Sequence, residues 1–105
     1  MQNVKFAALA VAATALTAML GTPGRAADAA HGRALAQRWC SGCHVVSADQ
    51  KQANADAPPF VTIARSNFNA TTLAYFLLDP HPKMPTLPLS RAAADDLSAY
   101  IQSLR

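Results

Sequence analysis

The chain has 105 residues, with nine Lys or Arg against six Asp or Glu and a formal net charge of +3 at neutral pH. This length suits one small domain with a modest hydrophobic core. The basic residues are scattered and no aromatic side chains are interleaved with a basic cluster, which argues against nucleic acid as a partner. No alternating strand pattern occurs, so the sequence predicts an all-α domain.

Residues 1–26 have the pattern of a cleaved secretory signal peptide. Lys5 supplies a positive start, residues 6–20 are rich in Ala, Leu and Val, and helix breakers precede the small residue Ala26. The apolar run is shorter than the ~20 residues that span a bilayer. An uncleaved membrane anchor is therefore the weaker interpretation, and we expect cleavage after Ala26, with cleavage after Ala27 as the next candidate.

Residues 27–105 then form the mature domain, which we expect in the periplasm without stable membrane insertion. Cleavage removes Lys5 and Arg25, so seven basic residues face six acidic ones and the net charge falls to +1. A charge this small predicts no electrostatic steering toward a strongly acidic partner.

The first helix is expected to start at Asp28, a good N-cap residue, and to end near Trp39. Leu35 and Trp39 lie four residues apart, which places them on one face of this helix. The helix delivers Cys40 at its end. A helix breaker, Gly42, follows two residues later.

Two cysteines and a histidine follow this helix directly, in the motif Cys40-Ser41-Gly42-Cys43-His44. This pattern is typical of c-type haem attachment, in which each thiol adds to one haem vinyl group and the histidine binds the iron. Three other interpretations exist. A thioredoxin-like redox site lacks its βαβ context, a zinc site lacks a second ligand pair, and a short-loop disulfide is the third.

The middle of the chain is predicted to form a loop and two helices. Residues 47–56 are polar and are expected to form a surface loop with little function. Pro58 and Pro59 then open a short helical turn. A longer helix is expected from Asn69 or Thr71 to residue 79, where Pro80 stops it. The apolar residues of these helices that we expect to face the core are Phe60, Ile63, Ala64, Leu73, Phe76 and Leu77.

A proline-rich segment, residues 80–85, carries the next candidate ligand. Met84 is the only methionine outside the predicted signal peptide. A methionine is usually core filling, but with a haem inferred, a thioether is the common partner of histidine in electron-transfer haems. His81 is the rival ligand, and His81 or Lys83 is expected to replace Met84 at high pH.

The last helix is expected to begin after Ser90, an N-cap residue. An apolar stripe at spacings of three and four runs along it, formed by Leu97, Tyr100, Ile101 and Leu104. Small residues Gly32 and Ala36 offer a surface on which this stripe can cross the first helix closely. Asp95 and Asp96 in the early turns and Arg105 at the end suit the helix dipole.

The chain resembles the class I monohaem cytochromes c, particularly the small exported bacterial ones, over essentially all of residues 27–105. The features that carry this resemblance are Gly32 eight residues before Cys40, the CSGCH motif, Ala57-Pro58-Pro59, Lys83-Met84-Pro85 and the terminal DLSAYI sequence from Asp96. The resemblance implies three to five helices, with crossed first and last helices around one covalently bound haem.

The resemblance also assigns a role to Pro58, whose carbonyl accepts a hydrogen bond from the ligand His44 in such proteins. Two positions depart from the pattern. Ala57 stands where glycine is frequent. Ala36 stands where a larger aromatic often packs between the terminal helices, and Trp39 is expected to compensate.

These observations predict a non-enzymatic, periplasmic one-electron carrier. Its haem c is held by Cys40 and Cys43 and ligated by His44 and Met84, and two propionates bring the net charge to about −1. Its partners would be redox proteins, such as a periplasmic dehydrogenase or terminal oxidase. One alternative is a dedicated haem subunit of a dehydrogenase complex. Another is a haem sensor or enzyme with an open iron.

Overall fold

The computed structural model describes residues 25–79 and 83–105. These residues form four α-helices and no β-strand: α1 (Ala29–Trp39), α2 (Phe60–Ala64), α3 (Ala70–Leu78) and α4 (Arg91–Gln102). The all-α prediction is confirmed, and so is the position of each helix. Most of the predicted signal peptide, residues 1–24, and the rival ligand His81 lie outside the described residues.

The three longer helices begin at the N-cap residues Asp28, Asn69 and Ser90. The first and last are the N-caps that the sequence predicts, and Asn69 is one of the two starts that it leaves open for α3. In each, the side-chain oxygen accepts a hydrogen bond from a backbone N–H of the first turn, which would otherwise have no partner. The donors are, in the same order, the amides of His31, Thr72 and Ala93. Local side-chain chemistry therefore sets where these helices start.

Helices α1 and α4 cross at Gly32. A Cβ atom added there would lie 2.0 Å from the Asp96 carbonyl oxygen and 2.9 Å from Cβ of Tyr100. Since non-bonded atoms do not approach so closely, only glycine permits this crossing. Ala36, one turn later, is fully buried. The predicted close crossing is confirmed.

Asp96 has a contact that the sequence did not predict. It lies in the second turn of α4, among the early turns where the sequence places it, but its side chain is buried against the start of α1. Its carboxylate accepts hydrogen bonds from the Asp28 amide at 2.7 Å, from Nδ1 of His31 at 2.6 Å and from Arg25 at 3.1 Å, the last of which belongs to the predicted signal peptide and would leave with it. Burial opposes ionisation, but these donors outweigh it and lower the pKa of Asp96 below its usual value.

The other helices pack onto α4. Ser98 of α4 donates a hydrogen bond to the Ala70 carbonyl at 2.5 Å, and Arg105 donates to the Ala64 carbonyl at 2.7 Å. Arg105 lies three residues beyond α4 and not in its last turn, and it ties this segment to α2. Apolar side chains from all parts of the described chain meet in one buried core: Ala36, Val46, Phe60, Leu73, Leu77, Leu97, Tyr100 and Ile101 are among its members. Within the described residues, no helix is long and apolar enough to cross a bilayer.

Candidate functional site

The cysteine motif forms one tight turn at the end of α1. The Cys40 amide still donates to the Ala36 carbonyl at 2.9 Å, as in a helix. The amides of Cys43 and His44 then fold back onto the Cys40 carbonyl, at 3.2 and 2.9 Å. The helix therefore delivers both thiols and the imidazole from a stretch of five residues with little freedom to separate.

Both cysteines are free thiols, with Cys40 buried and Cys43 exposed. Burial, with Cys43 nearby, raises the pKa of the Cys40 thiol to about 11. At neutral pH this group is therefore a protonated thiol and a poor metal ligand in its own right. Across residues 25–79 and 83–105, no group of three or more His, Cys, Asp or Glu side chains could hold a metal ion. The described residues thus do not supply the four ligands of a structural zinc site.

His44 is buried and its ring is fixed by two neighbours. Its Nδ1 lies 2.7 Å from the Pro58 carbonyl oxygen, and its ring packs at a tilt against Phe60, with centroids 5.2 Å apart. A carbonyl can only accept, so Nδ1 carries the hydrogen and donates. That leaves Nε2 as the basic nitrogen with a lone pair, and the hydrogen bond strengthens it as a metal ligand.

The loop that follows the motif contains a residue that the sequence interpretation missed. Gln50 was expected to lie in a surface loop with little function, but its side chain braces the turn that carries His44. Its Oε1 accepts from the Val46 amide at 2.9 Å, and its Nε2 donates to the carbonyls of Ser41 and His44 at 2.8 and 2.9 Å. A single glutamine in a polar stretch carries no local signal of such a role.

Met84 lies beside the same cavities as the cysteine motif. It is half-buried and packs against the core. One open cleft of about 390 Å³ and one smaller apolar cavity of about 110 Å³ are both bordered by Cys40, His44, Pro58 and Met84. The structure therefore brings together Cys40, Cys43, His44, Pro58 and Met84, the five residues that the sequence selected, with Cys43 on the cleft alone.

Trp39 does not fill the space between the terminal helices, so that expectation is wrong. The side chain is 48% exposed and borders the open cleft beside Cys40 and Cys43. Leu35, four residues earlier, packs against the core, whereas Trp39 at the end of α1 is exposed. The close contact between α1 and α4 is made at Gly32, with the fully buried Ala36 one turn later.

The residues around the two cavities fit a haem. The smaller cavity is bordered by apolar side chains suited to a porphyrin face: Phe60, Ile63, Phe68, Leu73, Phe76, Leu77, Leu97 and Ile101. His44 offers a nitrogen ligand, Met84 a thioether, and the two cysteines offer thiols for thioether bonds. A thiol pair with an adjoining imidazole beside an apolar slot is the combination that c-type haem attachment requires.

Comparison with known proteins agrees with this fit. The chain is 54% identical over 98 residues to cytochrome c-552 of Bradyrhizobium diazoefficiens, and the alignment covers 92% of this chain and 88% of that protein. No protein-family model matches the chain, and no solved structure gives a significant match. Since residues 27–105 number only 79, the alignment also extends into the predicted signal peptide.

Proposed function

Because this chain belongs to the small monohaem c-type cytochromes, we propose that it is a periplasmic one-electron carrier, and not an enzyme, with His44 and Met84 as axial ligands. One haem c is held by thioether bonds to Cys40 and Cys43. The observation that carries the proposal is the orientation of His44, whose Nδ1 donates to the Pro58 carbonyl and leaves Nε2 for the iron beside Met84.

When bound, the haem supplies a one-electron couple between ferric and ferrous iron. The chain's own residues hold that iron in a fixed environment. The Pro58 carbonyl keeps the His44 ring in one tautomer and one orientation, and Phe60 restricts its tilt. Little rearrangement between the two oxidation states is what an electron carrier needs.

Met84 influences the reduction potential of the proposed site. A neutral thioether favours ferrous iron and raises the reduction potential relative to a second imidazole. His44 and Met84 together would close the iron to oxygen or peroxide chemistry, which favours transfer over catalysis. The half-buried position of Met84 at the border of both cavities supports this role.

Export supports both the cofactor and the location. The first 26 residues have the pattern of a signal peptide, and the likeness to cytochrome c-552 extends into them. The physiological partners are then other exported redox proteins that donate to or accept from the haem, such as a periplasmic dehydrogenase or a terminal oxidase.

A direct test uses the matured protein from a host that attaches c-type haem. Mass spectrometry of the denatured protein should show a chain that starts at Ala27 and carries the mass of one haem. The Cys40→Ala/Cys43→Ala variant should release that haem on denaturation. A redox titration should give a one-electron couple. A chain without haem mass, or a two-electron dithiol couple, would contradict the proposal.

A further inference from the structure

Two exposed aromatic side chains of this protein are each covered by an arginine, and they differ in their surroundings. The Arg38 guanidinium lies 4.9 Å from the centroid of the Trp39 ring, and that of Arg91 lies 4.4 Å from the centroid of Tyr75. Trp39 is 48% exposed and Tyr75 is 56% exposed. Both are cation–π pairs, so the difference between them must come from what surrounds each pair.

The Tyr75 pair is complete within the protein. Arg91 also contacts the Asp95 carboxylate at 3.4 Å, and Tyr75 borders neither of the two cavities at the cysteine motif. The Arg38 guanidinium, in contrast, makes none of the ion pairs found within the described part of the chain. Arg38 is thus a cation whose carboxylate partner is not supplied by residues 25–79 or 83–105.

The Arg38–Trp39 pair lies at the opening of the cleft of about 390 Å³, which we call the mouth. Trp39 borders the open cleft together with Cys43 and Lys83, and Lys83 likewise makes no ion pair with any described residue. Trp39 and Leu87 also border a second, shallow groove that continues the apolar surface away from the cleft. The mouth therefore has an apolar centre next to two cations that make no ion pair with a described residue.

From this arrangement we propose that Arg38 and Trp39 recognise the electron-transfer partner, a redox protein whose docking face carries carboxylates beside an apolar patch. The inference rests on the proposed function, since the cleft must hold the haem. Trp39 supplies buried apolar area, which is the usual contribution of a tryptophan at an interface centre. Stacking holds the Arg38 guanidinium in place with its N–H groups free to bind a carboxylate in a forked geometry.

The small net charge of the mature chain does not conflict with this proposal. Recognition at short range depends on the charges at the mouth, whereas net charge governs long-range steering. Asp56 also borders the cleft and opposes the two cations, so the contact is specific in position and not broadly basic. Such a surface favours a brief, salt-sensitive complex, as electron carriers require.

The test uses the matured protein and flavodoxin as an acidic probe. Flavodoxin hydroquinone gives one electron to ferric haem and becomes the semiquinone, while the iron becomes ferrous. Trp39→Ala should lower the second-order rate about tenfold. Tyr75→Ala, which removes the other arginine-covered aromatic, should leave it unchanged. Reduction by dithionite, which needs no docking surface, gives the reference rate for the haem of each variant, and the flavodoxin rates are compared after division by it.

Two charge-reversal variants distinguish the effect of an arginine's position from the effect of the protein's net charge. Arg38→Glu should lower the flavodoxin rate about fivefold at low salt, and the difference should vanish near 1 M salt, where the Debye length is about 3 Å. Arg33→Glu makes the same charge change on the same helix, at a residue that pairs with Asp49. It should have a much smaller effect. Equal effects of the two reversals would overturn the proposal.

Binding can be observed without electron transfer. Trp39 is the only tryptophan, so its indole N–H gives one assignable resonance in the ¹⁵N-labelled ferric protein. Oxidised flavodoxin should shift this resonance at low salt and not at high salt. An unshifted indole, or equal rates for Trp39→Ala and Tyr75→Ala, would overturn the inference. Failure of dithionite to give a ferrous haem protein would instead contradict the proposed function.

Discussion

The two candidate ligands are held in very different ways. On the His44 side, formed by residues 40–50 and Pro58, hydrogen bonds join the imidazole to the Pro58 carbonyl and the turn to the Gln50 side chain. In the Met84 loop, residues 83–89, the one backbone hydrogen bond that involves described residues joins the Leu89 amide to the Leu87 carbonyl. Met84 and Leu89 are instead kept in place by packing against the core.

This difference indicates that the His44 side and the Met84 loop position their ligands with different precision. Hydrogen bonds are directional, so the His44 side can fix a ring orientation within narrow limits. Apolar packing is not directional, so the Met84 loop can position a sulfur without fixing it rigidly. We expect His44 to remain bound under conditions that displace Met84, such as the alkaline solution in which His81 or Lys83 would compete.

The largest loss of stability is expected from a substitution at Gly32, where α1 and α4 cross, because both the His44 side and the Met84 loop depend on this crossing. Gly32→Ala would place a methyl group 2.0 Å from the Asp96 carbonyl oxygen and force α1 and α4 apart. We expect a loss of about 3 kcal/mol in the free energy of unfolding, measured by denaturant titration of the holoprotein.

Gly42→Ala is the matched control for that variant. A Cβ atom at Gly42 meets no atom within 4 Å, and no described glycine has a positive φ. Its effect should stay within about 0.5 kcal/mol. If the two glycine variants were equally stable, the close crossing would not be the constraint described here.

Asp96→Asn should weaken the anchor that holds the start of α1 and therefore the His44 side. We expect a loss of about 2 kcal/mol at neutral pH, since hydrogen bonds to a charged group are lost. The native pKa of Asp96 is lowered, so its contribution is complete above the unfolded value near 4 and disappears as pH falls through the native pKa. The difference between wild type and variant should therefore shrink in acid.

Denaturant titrations from pH 7 down to pH 3 would measure that difference. Asp95→Asn is the control, because Asp95 is only partly buried and pairs with Arg91 on the helix surface. A gap between wild type and Asp96→Asn that stays constant with pH would show that the carboxylate does not act through its charge.

Gln50→Ala should loosen the His44 side alone. It removes the side-chain bonds to the Val46 amide and to the Ser41 and His44 carbonyls, at an expected cost of about 1.5 kcal/mol. The control is Gln52→Ala, whose side chain is exposed. Hydrogen exchange at the Val46 amide should become faster in the Gln50 variant and stay unchanged in the Met84 loop, which would support the contrast between the two sides. Equal protection of Val46 in both glutamine variants would contradict it.

The smallest effect concerns local motion in the native protein. Amides of Met84 and Leu87 make no backbone hydrogen bond with described residues, whereas the His44 amide donates to the Cys40 carbonyl. Native-state hydrogen exchange should therefore be faster at Met84 and Leu87 than at His44, without any substitution. Comparable amide protection at His44 and in the Met84 loop would contradict the conclusion that the His44 side is held more rigidly.

Local patterns in the sequence were sufficient for the helices. Asp28, Asn69 and Ser90 act within three residues of themselves, and the stripe on α4 repeats at helical spacing. The cysteine motif is likewise contiguous. The placement of Pro58 beside His44 came from the resemblance to a family, because fourteen residues separate the two and no periodicity links them.

The features that the sequence did not reveal depend on contacts between distant residues. Asp96 meets Asp28 across 68 positions, so its place in the second turn of a helix suggested only a dipole interaction. Gln50 acts through three backbone groups that converge only after the turn has formed. Spacing within α1 places Trp39 on the same face as Leu35, which packs against the core, so it cannot show that Trp39 is exposed.

The central claim is that His44 and Met84 together close the iron. It is tested most directly by optical spectra of the matured protein, oxidised and reduced, with and without carbon monoxide, for wild type and Met84→Ala. Wild type should be low-spin, show the weak near-infrared sulfur-to-iron band and ignore carbon monoxide, while the variant loses the band and binds carbon monoxide. A wild type that lacks the band, or binds carbon monoxide readily, would contradict the claim.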